Sequence, residues 1–282
     1  MKNLLSVLQK DTSVFNAAAL CLAASDVETK LRLTEEAAQA WRDGLLSCDT
    51  SDSTNDVEPI GEPGRPDKPT LVGFGNVPKR GLGTDKGRAA LIHAVTHIEF
   101  NAINLAWDAV YRFRNLPIQF YSDWVKVADE EASHFRLLRK RLGDMGFDYG
   151  DLPAHNGLWE MAKLTAFDPM VRMALVPRVL EARGLDVTPL IIKRLQRVGD
   201  EKTVAALEII LHDEVGHVEI GSRWFKHFCK ERDLNPEQTF RDLVAEHFVG
   251  RLRGPFHYEA RQKAGFSAAE LKALEGLKGG AR

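Results

Sequence analysis

Apolar residues return at every third or fourth position through four long windows of this chain, the period of a helix with one buried face. No stretch of convincing length alternates with the period of two that marks a half-buried strand, so the pattern predicts an all-α fold. The first window, residues 84–115, opens at Thr84, a residue suited to cap a helix N-terminus, and keeps Ile92, Val95, Glu99, Ile103 and Ala106 in register. The second, 117–145, opens at Pro117, suited to a first turn, and carries Trp124, Val127, Glu131, His134 and Leu138 on its stripe. The short turn between them makes the two helices antiparallel neighbours. A loop rich in Gly, Asp and Pro over 146–156 leads to the third window, 157–182, where Asp168-Pro169 and Pro177 predict kinks or breaks and Glu181 comes near the end. A short helix is expected over 188–197, with Pro189 at its first position. The fourth window, 200–232, holds Val204, Leu207, Ile210, Leu211, Glu214, His217 and Ile220 on or near one face.

Two further helices are predicted ahead of these. One covers 12–25 from an N-cap near Ser13; the other covers 26–46, with Leu31, Leu33, Ala37, Ala40 and Trp41 in an imperfect stripe. From 48 to 83 the composition turns to Ser, Asp and Thr, then to Pro59, Pro63, Pro66, Pro69 and Pro78 with glycines between them, a longer irregular stretch than most connections inside a compact domain. Leu71, Val72, Phe74 and Val77 favour an ordered strap, because a solvated linker has no need of them. Past Leu234 come a helix over 236–248, an aromatic turn Pro255-Phe-His-Tyr258 and a last helix over 267–277. The expected organisation is an N-terminal helical extension (1–47), a Pro/Gly-rich strap (48–83), a four-helix bundle (84–232) and a C-terminal helical tail (233–282).

The apolar stripes contain charged residues that do not belong in a plain core. Glu131-Ala-Ser-His134 and Glu214-Val-Gly-His217 are two Glu-x-x-His segments, and each has a further glutamate upstream at nearly the same separation, Glu99 before the first and Glu181 before the second. Positions i and i+3 share a helix face, so each segment presents a carboxylate beside an imidazole. A single Glu-x-x-His means little, since about half a match arises by chance in a chain of this size. The weight lies in the repetition: one half-site is written twice, on buried faces. Burying four carboxylates and two imidazoles without compensating charge would cost many kcal/mol, and a pair of metal cations supplies that charge. The arrangement resembles the ligand set of ferritin-like di-iron and di-manganese bundles, in which one Glu comes from each of two helices and Glu-x-x-His from each of the other two.

Other residues near the stripes carry weaker signals. Asp213 and Glu130 each precede the Glu of a motif and are candidates to accept a hydrogen bond from the distal nitrogen of a metal-bound histidine; otherwise each is solvated or ion-paired. His93 and His97 have the i, i+4 spacing of a zinc pair but lie off the Glu99 face, which favours a structural role, as for His212 and His227. Arg183 is placed either to pair with a carboxylate or to face an anionic substrate. Trp107, Tyr111 and Trp124 read first as core aromatics and second as walls of a hydrophobic pocket.

Composition narrows the function classes. With 38 basic and 40 acidic residues the net charge is -2, without the basic excess of a dedicated nucleic-acid binder. Cys21, Cys48 and Cys229 form no Cys-x-x-Cys pair, which points to a reducing compartment and no disulfide framework. Lys10 and Asp11 interrupt the N-terminal apolar run before signal-peptide length, and no window has the uncharged apolar length of a membrane span, so a cytoplasmic location without membrane association is expected.

The segments Ala94-Val-Thr-His-Ile-Glu99-Phe-Asn-Ala-Ile103, Ala128-Asp-Glu-Glu-Ala-Ser-His134-Phe, Val179-Leu-Glu-Ala-Arg-Gly-Leu-Asp186 and His212-Asp-Glu-Val-Gly-His217 resemble an uncharacterised bacterial ferritin-like family, a domain of unknown function. Glu62-Pro-Gly-Arg-Pro66, Lys79-Arg-Gly-Leu-Gly83 and His155-Asn-Gly-Leu-Trp-Glu-Met161 look like the same family, so the resemblance covers most of the chain. More distantly, the double motif is similar to that of di-iron tRNA hydroxylases, rubrerythrin-type peroxidases and quinone-biosynthesis hydroxylases. The resemblance implies a ferritin-like four-helix bundle and a carboxylate-bridged dinuclear site with Glu99, Glu131, His134, Glu181, Glu214 and His217 as ligands. The function expected is an O2-activating oxidoreductase, first of all a hydroxylase, holding two iron ions (manganese or mixed Mn/Fe as alternatives). Its substrate is a small molecule or tRNA. Electrons come from a partner protein, since the chain has no Cys-ligated rubredoxin site or Gly-rich nucleotide motif, and the assembly is a monomer or small homo-oligomer. The competing expectations are a metal-binding protein for iron handling or peroxide removal, and a scaffold that metals merely stabilise.

Overall fold

The computed structural model describes residues 13–49, 57–77, 81–247 and 254–276. The expected strap residue Pro78, the expected helix ends at 248 and 277, and the N-terminal residues 1–12 lie outside them. Among the described residues there is no β-strand, only helices and two isolated bridges, so the fold is all-α. No described helix is long and apolar enough to cross a membrane. The chain forms two compact units, residues 1–163 and 164–282, a division that falls within the 84–232 span grouped together by its periodicity.

The first unit is built from α1 (Val14–Ala23), α2 (Val27–Arg42), α3 (Asp85–Arg112), α4 (Ile118–Asp144) and α5 (Gly157–Leu164). Three helices start where side-chain caps predict. Ser13 accepts from the Asn16 N–H at 3.2 Å, Asp26 from Thr29 at 2.8 Å and Thr84 from Gly87 at 3.1 Å. Pro117 stands one position ahead of α4, where its fixed φ still leads into the helix. The centre of the unit is α3, which is buried on more than one face because α1 and α4 pack along it.

The N-terminal helices contribute polar atoms to this core. Lys30 of α2 is fully buried; its Nζ donates to the Cys21 carbonyl at 2.6 Å, the Leu22 carbonyl at 3.3 Å and Asn104 Oδ1 at 2.7 Å. A cation thus sits on the last carbonyls of α1, where the helix dipole favours it, while burial lowers the amine to about 8. Trp107 donates its indole N–H to Thr34 Oγ1 at 3.0 Å, which makes it a core residue joining α3 to α2. On the surface Arg42–Asp129, Arg136–Glu35 and Arg139–Glu28 link α2 to α4, pairs of a kind worth little singly.

The described part of the Pro/Gly-rich segment is stitched down at several points. The Val72 N–H donates to the Ala154 carbonyl at 2.8 Å and the Ala154 N–H to the Thr70 carbonyl at 3.1 Å. Trp159 donates to the Gly61 carbonyl at 2.8 Å, and Tyr111 reaches the Glu58 carbonyl at 3.2 Å. Gly64 comes closest: its N–H donates to the Leu22 carbonyl at 2.7 Å, and a Cβ there would lie 2.3 Å from the Ala23 carbonyl oxygen. Backbone meets backbone, so no side-chain rotation relieves the overlap. Gly64→Ala is expected to cost at least about 2 kcal/mol, in the range of overpacked sites. Urea unfolding should show the loss, and limited proteolysis should then cut the strap first.

The second unit holds α6 (Pro169–Leu175), a π-helical segment (Val176–Glu181), α7 (Ala182–Arg197), α8 (Glu201–Glu231), α9 (Pro236–His247), α10 (Tyr258–Lys263) and α11 (Ala268–Gly276). One sequence expectation is met and one needs correction. The window 157–182 breaks at Asp168-Pro169 as those residues predict: the chain leaves helix after Leu164 and re-enters at Pro169 under an Asp168 cap. The helix expected to start at Pro189 starts instead at Ala182 and runs through that proline. Local chemistry argues against this, but Ala182, Leu185, Asp186, Ile192 and Leu195 are all buried on one face, and packing overrides propensity. Pro177 does not break its helix either. It lacks an N–H for the ordinary ladder, and the hydrogen bonding widens to a π turn that ends at Glu181.

Candidate metal centre

Glu99 lies in the middle of α3 and Glu131 and His134 in the middle of α4, the two most intimately packed helices of the first unit. All three are buried, at 3%, 1% and 2% exposure. His134 Nδ1 is 3.4 Å from Glu99 Oε2 and 3.5 Å from Glu131 Oε2, and the three residues offer ligand atoms within 4.8 Å of one another. Burial disfavours a charged imidazole, yet the hydrogen bonds and charges of Glu131 and Glu99 outweigh it and push His134 up to about 11. Two carboxylates and one imidazole converge there, a donor set that a divalent cation could bind while displacing the His134 proton. Two carboxylates with one imidazole suit iron, manganese or zinc better than a soft, thiolate-seeking metal.

The second unit repeats part of this chemistry. On α8 the fully buried His217 has its Nδ1 3.4 Å from Glu214 Oε1, the same i, i+3 pairing as on α4. Glu181 stands at the end of the π-helical segment, half-buried, where α7 begins. Each unit thus carries a Glu-x-x-His pair and one upstream glutamate.

The neighbours sort themselves differently. Glu130 forms an ion pair with Lys126 at 2.8 Å, one turn back on its own helix, and Asp213 is half-buried. His212 is exposed, and His227 stacks edge-on against Trp224 and faces Glu231. Arg183 points to Asp186 at 3.8 Å. Trp124 is buried against Phe120.

His93 and His97 are loop anchors. The Gly150 N–H donates to His93 Nε2 at 3.0 Å, and His97 Nδ1 lies 2.9 Å from the Tyr149 hydroxyl with Nε2 3.2 Å from the His155 carbonyl. Tyr149 stacks on both imidazoles and packs against Phe100 and Phe135, the residues next to Glu99 and His134. Burial lowers His93 from 6.5 to about 4, against the opposing charges of Asp151 and Asp148. A group depressed on folding adds stability above its unfolded value, and that stability drains away as pH falls from 6.5 through 4. At roughly 1.4 kcal/mol per pH unit the loss is at most about 3 kcal/mol, less whatever solvent screening removes. His93→Gln keeps an acceptor without the titration, so its urea-unfolding free energy should fall less steeply than wild type over that window.

Two groups of buried polar residues escaped the sequence reading. Asn101, Asn104 and Asp108 continue the line of His93 and His97 along α3 at spacings of four and three, visible in the sequence once the helix is taken as buried on several sides. Lys30, Arg178 and Arg261 left no such trace, since a charged residue in an apolar run reads as a solvated edge.

The family model described as "Protein of unknown function (DUF455)" matches residues 23–272, nearly the whole described chain. This chain belongs to the DUF455 family. The match includes all six Glu and His residues singled out above, as well as the tail helices α9 and α10. A protein of Haemophilus influenzae, named only as an uncharacterized protein, is 47% identical over 213 residues, which span 73% of this chain and 74% of the relative. No solved structure matches.

Proposed function

We propose that this DUF455 protein is a carboxylate-bridged dinuclear metal oxidoreductase, with two iron ions or an Mn/Fe pair, that hydroxylates a substrate with O2. In this reading α3, α4, the π segment with α7, and α8 make a ferritin-like four-helix bundle. Glu99, Glu131 and His134 would hold one ion and Glu181, Glu214 and His217 the other, with Glu131 and either Glu181 or Glu214 in common. The observation that carries the proposal is the convergence of Glu99, Glu131 and His134, buried together in the first unit. Its counterpart on α8, with the same pairing of Glu214 and His217, supports a second ion.

Bound there, a redox-active metal pair supplies the electrons and open positions that activate O2. The chain's own part is to keep the site dry and its ligands ionised. Phe100, Phe135 and Tyr149 form an aromatic cluster beside the chain positions of Glu99 and His134, and His134 Nδ1 would give up its proton to bind a metal. Glu130 and Asp213 are the proposed acceptors for the distal nitrogens of His134 and His217. The test is metal content by mass spectrometry on protein purified anaerobically from cells supplied with iron and manganese, followed by O2 uptake with a chemical reductant. About two ions per chain and reductant-dependent O2 uptake are expected; a protein free of stoichiometric metal would sink the proposal.

A further inference from the structure

Glu181 has no regular helix to hold it. It ends a π-helical segment, a conformation that survives only where its surroundings impose it. Three contacts do so. Arg178, three residues earlier and fully buried, donates from Nη2 to Glu270 Oε1 of α11 at 2.7 Å and from Nε to Ser222 Oγ of α8 at 3.2 Å. Its guanidinium lies over Phe240 at 4.1 Å, Phe266 at 4.5 Å and Phe225 at 4.8 Å. On the other flank Arg261 of α10, 1% exposed, donates to both oxygens of Asp186, at 2.9 and 2.8 Å, and to the carbonyl of Ala182, the residue after Glu181, at 3.3 Å. Between these, Pro177 rests on Gly221 of α8, one turn beyond His217; a Cβ at Gly221 would stand 2.3 Å from the proline ring.

We infer that the C-terminal tail is a clasp, with Glu270 and Arg261 gripping the chain on either side of Glu181 so that its carboxylate is positioned for the metal that Glu214 and His217 share. The inference rests on the dinuclear reading above. It makes Arg178, Arg261 and Glu270 positioning residues: none is a ligand, and each acts through the backbone that carries Glu181. Buried ion pairs are poor sources of stability but good sources of fixed geometry. A carboxylate on a π turn needs geometry more than stability. Glu270 also receives the Ser267 N–H at 2.7 Å at the start of α11, so the carboxylate is itself oriented before it meets Arg178.

The experiment counts Mn(II) ions bound by the full chain under anaerobic conditions, using equilibrium dialysis and the magnetic-resonance signal of free Mn(II), with thermal unfolding alongside. The double variant Arg178→Met with Glu270→Gln removes both charges and leaves no buried ion alone, so it is expected to fold. It should bind one ion with wild-type affinity and the second at least about ten-fold more weakly, the loss typical when support behind a ligand is removed. Arg261→Lys keeps the charge but not the forked contact and should show the same selective loss, which decides the matter if the double variant does not fold. Val244→Ala, in α9 and carrying no charge or hydrogen bond of the clasp, should lower the melting temperature and keep both ions. The clasp is overturned if the clasp variants bind both ions like wild type, or if Val244→Ala loses the second ion as readily at equal destabilisation. Wild-type protein that binds fewer than two ions overturns the dinuclear reading instead.

Discussion

Glu131→Ala is expected to abolish tight metal binding at the first half-site and, if that glutamate is shared, to weaken the second ion as well. Glu131 is 1% exposed and shares His134 Nδ1 with Glu99. Without it, the site loses one of its anionic donors and with it part of its attraction for a cation. A ligand present at a thousand times its dissociation constant stabilises the fold by about 4 kcal/mol, which for a chain of this size raises the melting temperature by on the order of 10 °C. Wild-type protein should show that rise when Fe(II) or Mn(II) is added to metal-free samples, and Glu131→Ala should not. Metal-free samples of the two should melt within a few degrees of each other, which separates lost metal from lost fold. A variant that takes up metal and gains stability as the wild type does would remove Glu131 from the site.

The largest change in stability without metal is expected at Arg261. Its guanidinium and the Asp186 carboxylate are both at most 4% exposed and joined by two hydrogen bonds. Arg261→Met leaves that carboxylate only the His257 N–H and the 3.8 Å pair with half-exposed Arg183 beside Phe256 and Phe266, at a cost of about 3–5 kcal/mol. Neutralising the stranded partner should recover most of it. In Arg261→Met with Asp186→Asn the amide oxygen still accepts the His257 N–H, a bond of 2.9 Å in the native protein, and no charge is left unpaired. Urea unfolding of both variants measures the difference. Recovery of under about 1 kcal/mol would mean that the cost lies in lost packing around the long side chain and not in the charge.

Much of the fold was legible because local signals and burial agreed. Ser13, Asp26 and Thr84 cap helices where their side-chain chemistry says they should, and the stripes of α3, α4 and α8 face inward as their spacing requires. Legibility failed where packing overruled a local rule. Pro177 is expected to kink or break its helix and Pro189 to open one, and both stay inside continuous helical structure, one by widening the turn and one by burial of the face around it. The line of Asn101, Asn104 and Asp108 on α3 was hidden for another reason: a helix covered on several sides buries polar residues that a one-face pattern assigns to solvent.

The sequence by itself determined the all-α class, the main helix stripes and the pairing of Glu131 with His134 and Glu214 with His217, because i, i+3 geometry needs nothing beyond one helix. Only the tertiary structure brought Glu99 to 3.4 Å from His134, since that contact joins residues on two different helices. It alone revealed Lys30 on the end of α1 and the two buried arginines around Glu181. A buried charge is defined by what surrounds it, and its partners here lie about 70 to 90 residues away along the chain. No local pattern records such a distance.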